Sequence, residues 1–244
     1  MNSFQDVLRR VKYIAFDADD TLWVNEPYFR EAEEKFCALL ERFAPREEII
    51  STLYNIEMKN LPLYGYGARA FTQSLMETAL QLGKSSNESP LTTEEMKQIF
   101  AIGFSLLSIP IDILPGVEQL LKELHGGGRY TLVVATKGDL LEQYRKLERS
   151  SLAGYFHRFE VMIYKNSANY RSMLERMGCS PEEFLMIGNS MKSDIIPVLE
   201  IGAYALYVPF YSTWEHEKVE GEVVHPNLFT CDGGSSQLPE FFRI

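Results

Sequence analysis

The 244-residue chain reads as a doubly wound α/β protein: a parallel sheet carrying an all-helical insertion. Three observations predict this. From residue 111 onward, short apolar runs alternate with helical patterns, and strand–helix alternation builds a parallel sheet through right-handed crossovers. A further apolar run, residues 11–17, stands far upstream of the others. The interval between, residues 24–110, holds helical periodicity and no good strand. Residues 1–23 and 111–244 are therefore expected to form the core, and 24–110 a helical insertion.

The five predicted strands are 11–17, 129–135, 159–164, 184–188 and 203–208. Each is short, apolar and rich in β-branched or aromatic residues, as buried parallel strands are. Between them, Pro115 opens a helix that Gly126-Gly127-Gly128 ends. Gly138-Asp139 opens a second, running to about Ser150. Ser167 is the expected cap of a third that stops at Gly178. Ser180-Pro181-Glu182-Glu183 has the pattern of a capping box on a short helical turn. Residues 191–201 give the last helix. In the insertion, helices are expected over 27–43 and 46–60 around Pro45, and over 68–82 ended by Gly83. A polar loop follows at 84–90. Thr92 and Glu95 then box a helix near 93–108. The tail from 211 has turn residues, Gly233-Gly234-Ser235-Ser236, and is expected to finish in a short helix.

Composition narrows the function. The 34 acidic and 24 basic residues give a net charge of -10, which opposes a dedicated nucleic-acid binder. A small anionic substrate remains compatible, because a metal and one or two lysines reverse the field locally. Cys37, Cys179 and Cys231 are scattered and odd in number, with no disulfide framework, so a reducing compartment is expected. There is no apolar signal core at the N-terminus and no stretch long enough to span a bilayer. The expectation is a cytoplasmic protein without membrane partners; the oligomeric state is not legible.

The chemistry concentrates in Asp17-Ala18-Asp19-Asp20-Thr21, directly after the first apolar run. That places the cluster at a strand's carboxyl end, where open α/β sheets bind ligands. Asp17 and Asp19, two apart, project to one face in extended chain. Crowded carboxylates repel unless held, and a divalent cation with oxygen ligands is the usual answer. Taken singly, such a cluster also suits a helix cap or a solvated turn. Three more candidates fall near later strand ends. Thr136-Lys137-Gly138-Asp139 offers a hydroxyl and helix-start amides for a phosphate, or simply a cap. Lys165 offers a cation or a solvated lysine. Gly188-Asn189-Ser190-Met191-Lys192-Ser193-Asp194 offers an amide and a carboxylate, the latter also a possible cap.

In this order, Asp17-x-Asp19-x-Thr21, Thr136, Lys165 and Gly188-Asn189-Ser190-x3-Asp194 resemble the four motifs of the haloacid dehalogenase superfamily, mostly phosphatases, over residues 8–23 and 111–210. The resemblance implies a Rossmann-like core with a helical cap inserted after the first motif. It implies Asp17 as nucleophile forming an aspartyl-phosphate, and Asp19 as general acid and then base. Thr136 and Lys165 would serve catalysis and bind the phosphoryl group together with Thr21 and Lys137. Mg²⁺ would be held by Asp17, the Asp19 carbonyl and Asp194, with Asn189 as a further candidate. The substrate implied is a small phosphorylated metabolite, a nucleotide or a sugar phosphate among the options.

Two departures from the family pattern stand out. Asn189 replaces the usual aspartate, which leaves Asp194 as the better candidate for a direct metal ligand. Lys165 is followed by Asn166 rather than proline, with Lys137 and Lys192 as alternative cations. Residues 188–195, Val208-Pro209 and Trp214-Glu215 resemble cap-bearing phosphatases that include nucleotidase-like members. A 2-haloacid dehalogenase is the competing enzyme; it would lack an acid at the position of Asp19, since halide leaves without a proton. A non-catalytic binding protein on the same scaffold is the third reading. In the insertion, Glu57, Asn60 and Tyr64-Gly65-Tyr66-Gly67 are candidate specificity residues or an ordinary turn. Trp23 is expected to pack at a hinge, Cys179 to lie in the core and His216 to be solvated.

Overall fold

The computed structural model describes residues 3–85 and 90–243. In chain order the elements are α1 (Phe4–Arg10), β1 (Tyr13–Phe16), α2 (Glu26–Leu40), α3 (Arg46–Tyr64), α4 (Ala68–Ser85), α5 (Thr93–Ser105), α6 (Val117–Gly126), β2 (Thr131–Lys137), α7 (Leu140–Arg149), β3 (Arg158–Met162), α8 (Ser167–Met177), β4 (Phe184–Gly188), α9 (Ile196–Glu200), β5 (Tyr204–Tyr207), β6 (Leu228–Thr230) and α10 (Leu238–Phe241). The chain divides into two compact units, Met1–Glu26 with Ile111–Ile244, and Pro27–Pro110.

The first unit is built on six parallel strands in the order β3-β2-β1-β4-β5-β6. Strand alternation sorts the side chains to two faces. Ile14, Phe16, Leu132, Val134, Leu185, Ile187 and Leu206 join a cluster with α1, α6 and α10. Ala15, Val133, Ala135, Met186 and Ala205 pack instead with Tyr170, Met173 and Leu174 of α8 and Val198 of α9. Both faces of the inner strands β1, β2, β4 and β5 are covered, so apolar side chains line both sides of them, as a doubly wound sheet requires. The chain leaves β1 toward β2 and returns on its other side as β4. The reversal therefore falls at the carboxyl ends of β1 and β4, the place where such sheets bind ligands.

The helical unit holds no strand among its described residues, and its interior is formed by Phe36, Leu40, Leu53, Leu75 and Ile99. The Thr92–Glu95 capping box forms as expected, with Glu95 N donating to the Thr92 hydroxyl and Thr92 N to the Glu95 carboxylate.

Several expectations needed correction. The tail adds a sixth strand: β6 pairs with β5, and only then does α10 follow. A helix, α1, precedes β1; Ser3 and Asp6 box it. Gly83 does not end α4, which continues to Ser85, and residues 86–89 of the expected loop lie outside the described residues. α3 continues through Pro62 to Tyr64, where Gly65 at φ 72° stops it. The cap of α8 is Asn166, whose side chain accepts from Asn169 N, and Ser167 is the first helical residue. Ser180 makes no side-chain cap bond to its 3₁₀ turn. The expected helix at 191–201 begins as a π-turn, Met191–Ile195, before α9. No described helix is long and apolar enough to cross a membrane.

Candidate active site

β1 ends at Phe16, and the next residues turn under tight constraint. Asp20 adopts φ 61°, an uncommon left-handed conformation for a residue other than glycine. Its carboxylate accepts from the backbone amides of Asn25 (2.8 Å) and Glu26 (3.0 and 3.1 Å), which stabilises the turn. Burial pushes the Asp20 carboxyl up to about 8, against the pull of those two amides. Asp17 and Asp19 are thereby presented at the strand tip.

Asp17, Lys165 and Asp194 form the buried centre. Lys165, three residues beyond β3, has a side chain 1% exposed; its Nζ donates to Asp17 Oδ1 and, at 2.6 Å, to Asp194 Oδ1. Asp194 Oδ2 accepts from Ser190 N at 2.9 Å, closing the turn after β4 on itself. That closeness needs glycine at 188: a Cβ there would stand 2.3 Å from Asp194 Oδ2 and 2.5 Å from its Cβ. Burial opposes charge on Lys165, but the carboxylates of Asp17 and Asp194 outweigh it and hold the ammonium. Burial raises the Asp17 carboxyl, Lys165 counteracts this, and Asp194 and Asp19 add repulsion. Thr21 Oγ1 lies 3.1 Å from Asn189 Oδ1 and 3.5 Å from Asp17 Oδ2, so Thr21 and Asn189 belong to the same cluster.

Asp19 points into a different set of partners. Its Oδ1 accepts from Trp23 Nε1 (2.8 Å), its Oδ2 from Gln143 Nε2 (2.7 Å), and both from Lys146 Nζ (3.0 and 3.2 Å). Lys146, 4% exposed, also donates to Asn25 Oδ1 at 2.8 Å and faces Glu142 Oε1 at 3.7 Å. Sequence reading missed Glu142, Gln143 and Lys146. They share the buried face of α7, while Leu140, Leu141 and Tyr144 are exposed. Gly138, at φ 133°, makes room for this: a Cβ there would meet Gln143 Nε2 at 2.8 Å. Trp23, expected at a hinge, is fully buried and bridges to Ile113.

Thr136 and Lys137 are the last two residues of β2. The Thr136 hydroxyl is buried and donates to the Lys137 carbonyl at 3.2 Å. Lys137 Nζ donates to Ser193 Oγ (2.8 Å) and to Glu217 Oε1 (2.5 Å). Glu217, from the long connection between β5 and β6, is a further residue that sequence reading missed, and no local pattern marks it. His216, expected to be solvated, is only partly exposed; its ring lies 5.0 Å from that of Trp214, and Lys192 Nζ donates to its carbonyl at 2.7 Å. Cys179 is buried, as expected. Asn60, one of the residues read either as specificity candidates or as part of an ordinary turn, is 3% exposed and bonded to Ser74 and Glu77 inside the helical unit.

Among the described residues, no three His, Cys, Asp or Glu side chains group as a metal site. The reason lies in the partners just described: Asp17 and Asp194 converge, while the Asp19 carboxylate is held by α7. Even so, two buried carboxylates share a single ammonium, leaving one net negative charge beside the oxygens of Asn189 and Thr21. That charge and donor chemistry fit a hard divalent cation.

Comparison with known proteins identifies the family. A family model described as haloacid dehalogenase-like hydrolase matches residues 11–202. The chain belongs to that family. Its similarity to a glyceraldehyde 3-phosphate phosphatase from Methanothermobacter thermautotrophicus is 26% identity over 207 residues, 81% of this chain and 85% of that protein. A haloacid dehalogenase-like hydrolase structure from Xanthomonas campestris is 32% identical, with a TM-score of 0.81 over 95% of this chain and 90% of the other. A 2-haloacid dehalogenase from Pseudomonas syringae shares the fold at 20% identity and a TM-score of 0.57, covering 95% and 97% of the two chains. This haloacid dehalogenase-like hydrolase thus has the expected family and α/β fold.

Proposed function

We propose that this hydrolase is a Mg²⁺-dependent phosphomonoesterase acting on a small phosphorylated metabolite. The observation that carries the reading is the pairing of two carboxylates at one strand tip in two environments. Asp17 faces Lys165, and Asp19 faces Lys146, Gln143 and Trp23. A nucleophile and a separate acid–base group are what ester hydrolysis through a covalent intermediate needs. The phosphatase relative supports the same class of reaction.

In this reading an Asp17 carboxylate oxygen attacks phosphorus. The bond from phosphorus to the ester oxygen breaks, and Asp19, having parted from Lys146 and taken up a proton from solvent, gives that proton to the departing oxygen. Asp19 then takes a proton from water, whose oxygen attacks phosphorus; the Asp17–phosphorus bond breaks and phosphate leaves. Lys165 offsets the negative charge of the phosphoryl group and of Asp17, and Thr136 and Thr21 offer hydroxyls to its oxygens. A cation held by Asp17, Asp194, the Asp19 carbonyl and Asn189 would supply further charge neutralisation, the main demand of phosphoryl transfer.

The test is phosphate release from an alkyl and an aryl phosphate by wild type and Asp19→Asn, with and without Mg²⁺, alongside chloride release from 2-haloacids. We expect Asp19→Asn to lose about 10²-fold or more on the alkyl ester. Chloride release without phosphatase activity would replace this reading with a dehalogenase.

A further inference from the structure

We propose that Glu217 is a positioning residue of this site: its carboxylate clasps Lys137, Ser190 and Ser193, and so fixes the turn that presents Asn189 and Asp194. The proposal deepens the phosphatase reading and rests on it for the roles of Asn189 and Asp194.

The hydrogen bonds form a closed account. Ser190 Oγ accepts from Ser193 N at 3.0 Å and donates to Glu217 Oε2 at 2.6 Å. Ser193 Oγ accepts from Lys137 Nζ at 2.8 Å and donates to the same Oε2 at 2.5 Å. Each hydroxyl has one proton to place, and Glu217 takes both. Its other oxygen takes the Lys137 ammonium. The salt bridge is sheltered, with side-chain exposures of 15% for Lys137 and 12% for Glu217. Burial raises the Glu217 carboxyl, but Lys137 and the two hydroxyls outweigh it and bring it down to about 2.

What is held in this way is the π-turn Met191–Ile195. Such turns are rare and often occur at functional sites. Inside it, Asp194 N donates to the Ser190 carbonyl at 2.8 Å and Ser190 N to Asp194 Oδ2. The orientation of Asp194 therefore depends on where Ser190 sits, and Ser190 is anchored from outside the turn by Glu217. Lys137 adds a second route. Without Glu217 its ammonium loses that salt bridge, while Asp17 and Asp194 still share a single ammonium. A lysine drawn to those carboxylates would compete with a divalent cation for them.

The experiment compares wild type, Glu217→Ala, Glu217→Gln, Lys137→Met and the Glu217→Ala/Lys137→Met double variant. Mg²⁺ binding is measured by calorimetry without substrate, backbone hydrogen exchange over residues 188–195 by mass spectrometry, and phosphate release in parallel. We expect Glu217→Ala to weaken Mg²⁺ binding by about ten-fold, as loss of a group orienting metal ligands does. Exchange over 188–195 should quicken before the rest of the sheet. Glu217→Gln should fall between, since its amide oxygen still accepts from the two hydroxyls. The double variant should recover part of the Mg²⁺ affinity lost in Glu217→Ala. Wild-type exchange over 188–195 together with wild-type Mg²⁺ affinity in Glu217→Ala would overturn the proposal. If Glu217→Ala does not fold, wild-type exchange in Glu217→Gln would overturn it instead. If wild type binds no Mg²⁺, the metal in the phosphatase reading fails, and hydrogen exchange alone decides whether Glu217 holds the turn.

Discussion

Replacing Lys146 with methionine is expected to cost about 3 kcal/mol of stability and to disturb Asp19 first. The substitution keeps an apolar stem of similar length and deletes the ammonium alone. That group is 4% exposed and contacts both oxygens of Asp19, the Asn25 amide oxygen and, at 3.7 Å, Glu142. Deleting one partner of a buried ion pair generally costs about 3–5 kcal/mol, because the remaining charge stays desolvated. Asp19 is 24% exposed and keeps Trp23 Nε1 and Gln143 Nε2, which favours the low end. At roughly 2–4 °C per kcal/mol for a chain of this size, the midpoint should fall by about 6–12 °C. Urea unfolding of wild type, Lys146→Met, Asp19→Asn and the double variant measures how far the effect passes through Asp19. The two single effects should fail to add by about 1 kcal/mol or more. Additivity within about 0.5 kcal/mol would refute the claim that α7 holds Asp19 through Lys146.

Three further outcomes are expected. Asp17→Asn should abolish phosphate release, since an amide is a poor nucleophile; more than a trace of wild-type rate on the best substrate would contradict its role. Gly188→Ala should displace Asp194 and lower both stability and Mg²⁺ affinity, because the new methyl group would lie 2.3–2.5 Å from three Asp194 side-chain atoms; wild-type behaviour in calorimetry and thermal melts would count against that geometry. For Glu217, the folded carboxyl lies near 2 and its ordinary value is 4.5. A depressed carboxyl stabilises above its unfolded value and loses that contribution as pH falls through the folded one. The stability gap between wild type and Glu217→Gln should therefore be full at neutral pH and shrink between about pH 4.5 and 2; a gap independent of pH in urea titrations would contradict the salt bridge.

The layout of the fold was legible because its signals are local. Apolar runs such as Phe184–Gly188, short and following the turn signal Ser180-Pro181, read as interior strands, and this one is buried at every position. The Thr92–Glu95 box marks a helix start by its own hydrogen bonds. Asp17, Lys165 and Asp194 could be singled out because their positions relative to strand ends follow from the same runs. β6 was not legible: Leu228–Thr230 is only three residues long and becomes a strand by pairing with β5. The inverted face of α7 was hidden for a related reason. Periodicity says which residues share a face but not which face is buried, and here Glu142, Gln143 and Lys146 lie on the buried face beside Leu147.

The sequence by itself determined the parallel core, the helical insertion and the order of the acidic, hydroxyl and lysine groups at strand ends, since strand and helix periodicity depend on neighbouring residues alone. Only the tertiary structure decided which charges meet. Asp17 and Asp194 share Lys165 across 148 and 29 residues of chain, Asp19 is held by Lys146 from α7, and Glu217 reaches Lys137 across 80 residues. Ion pairs of that kind carry no sequence period. They form where folding brings opposite charges out of water together, and each buried charge must then find its partner there.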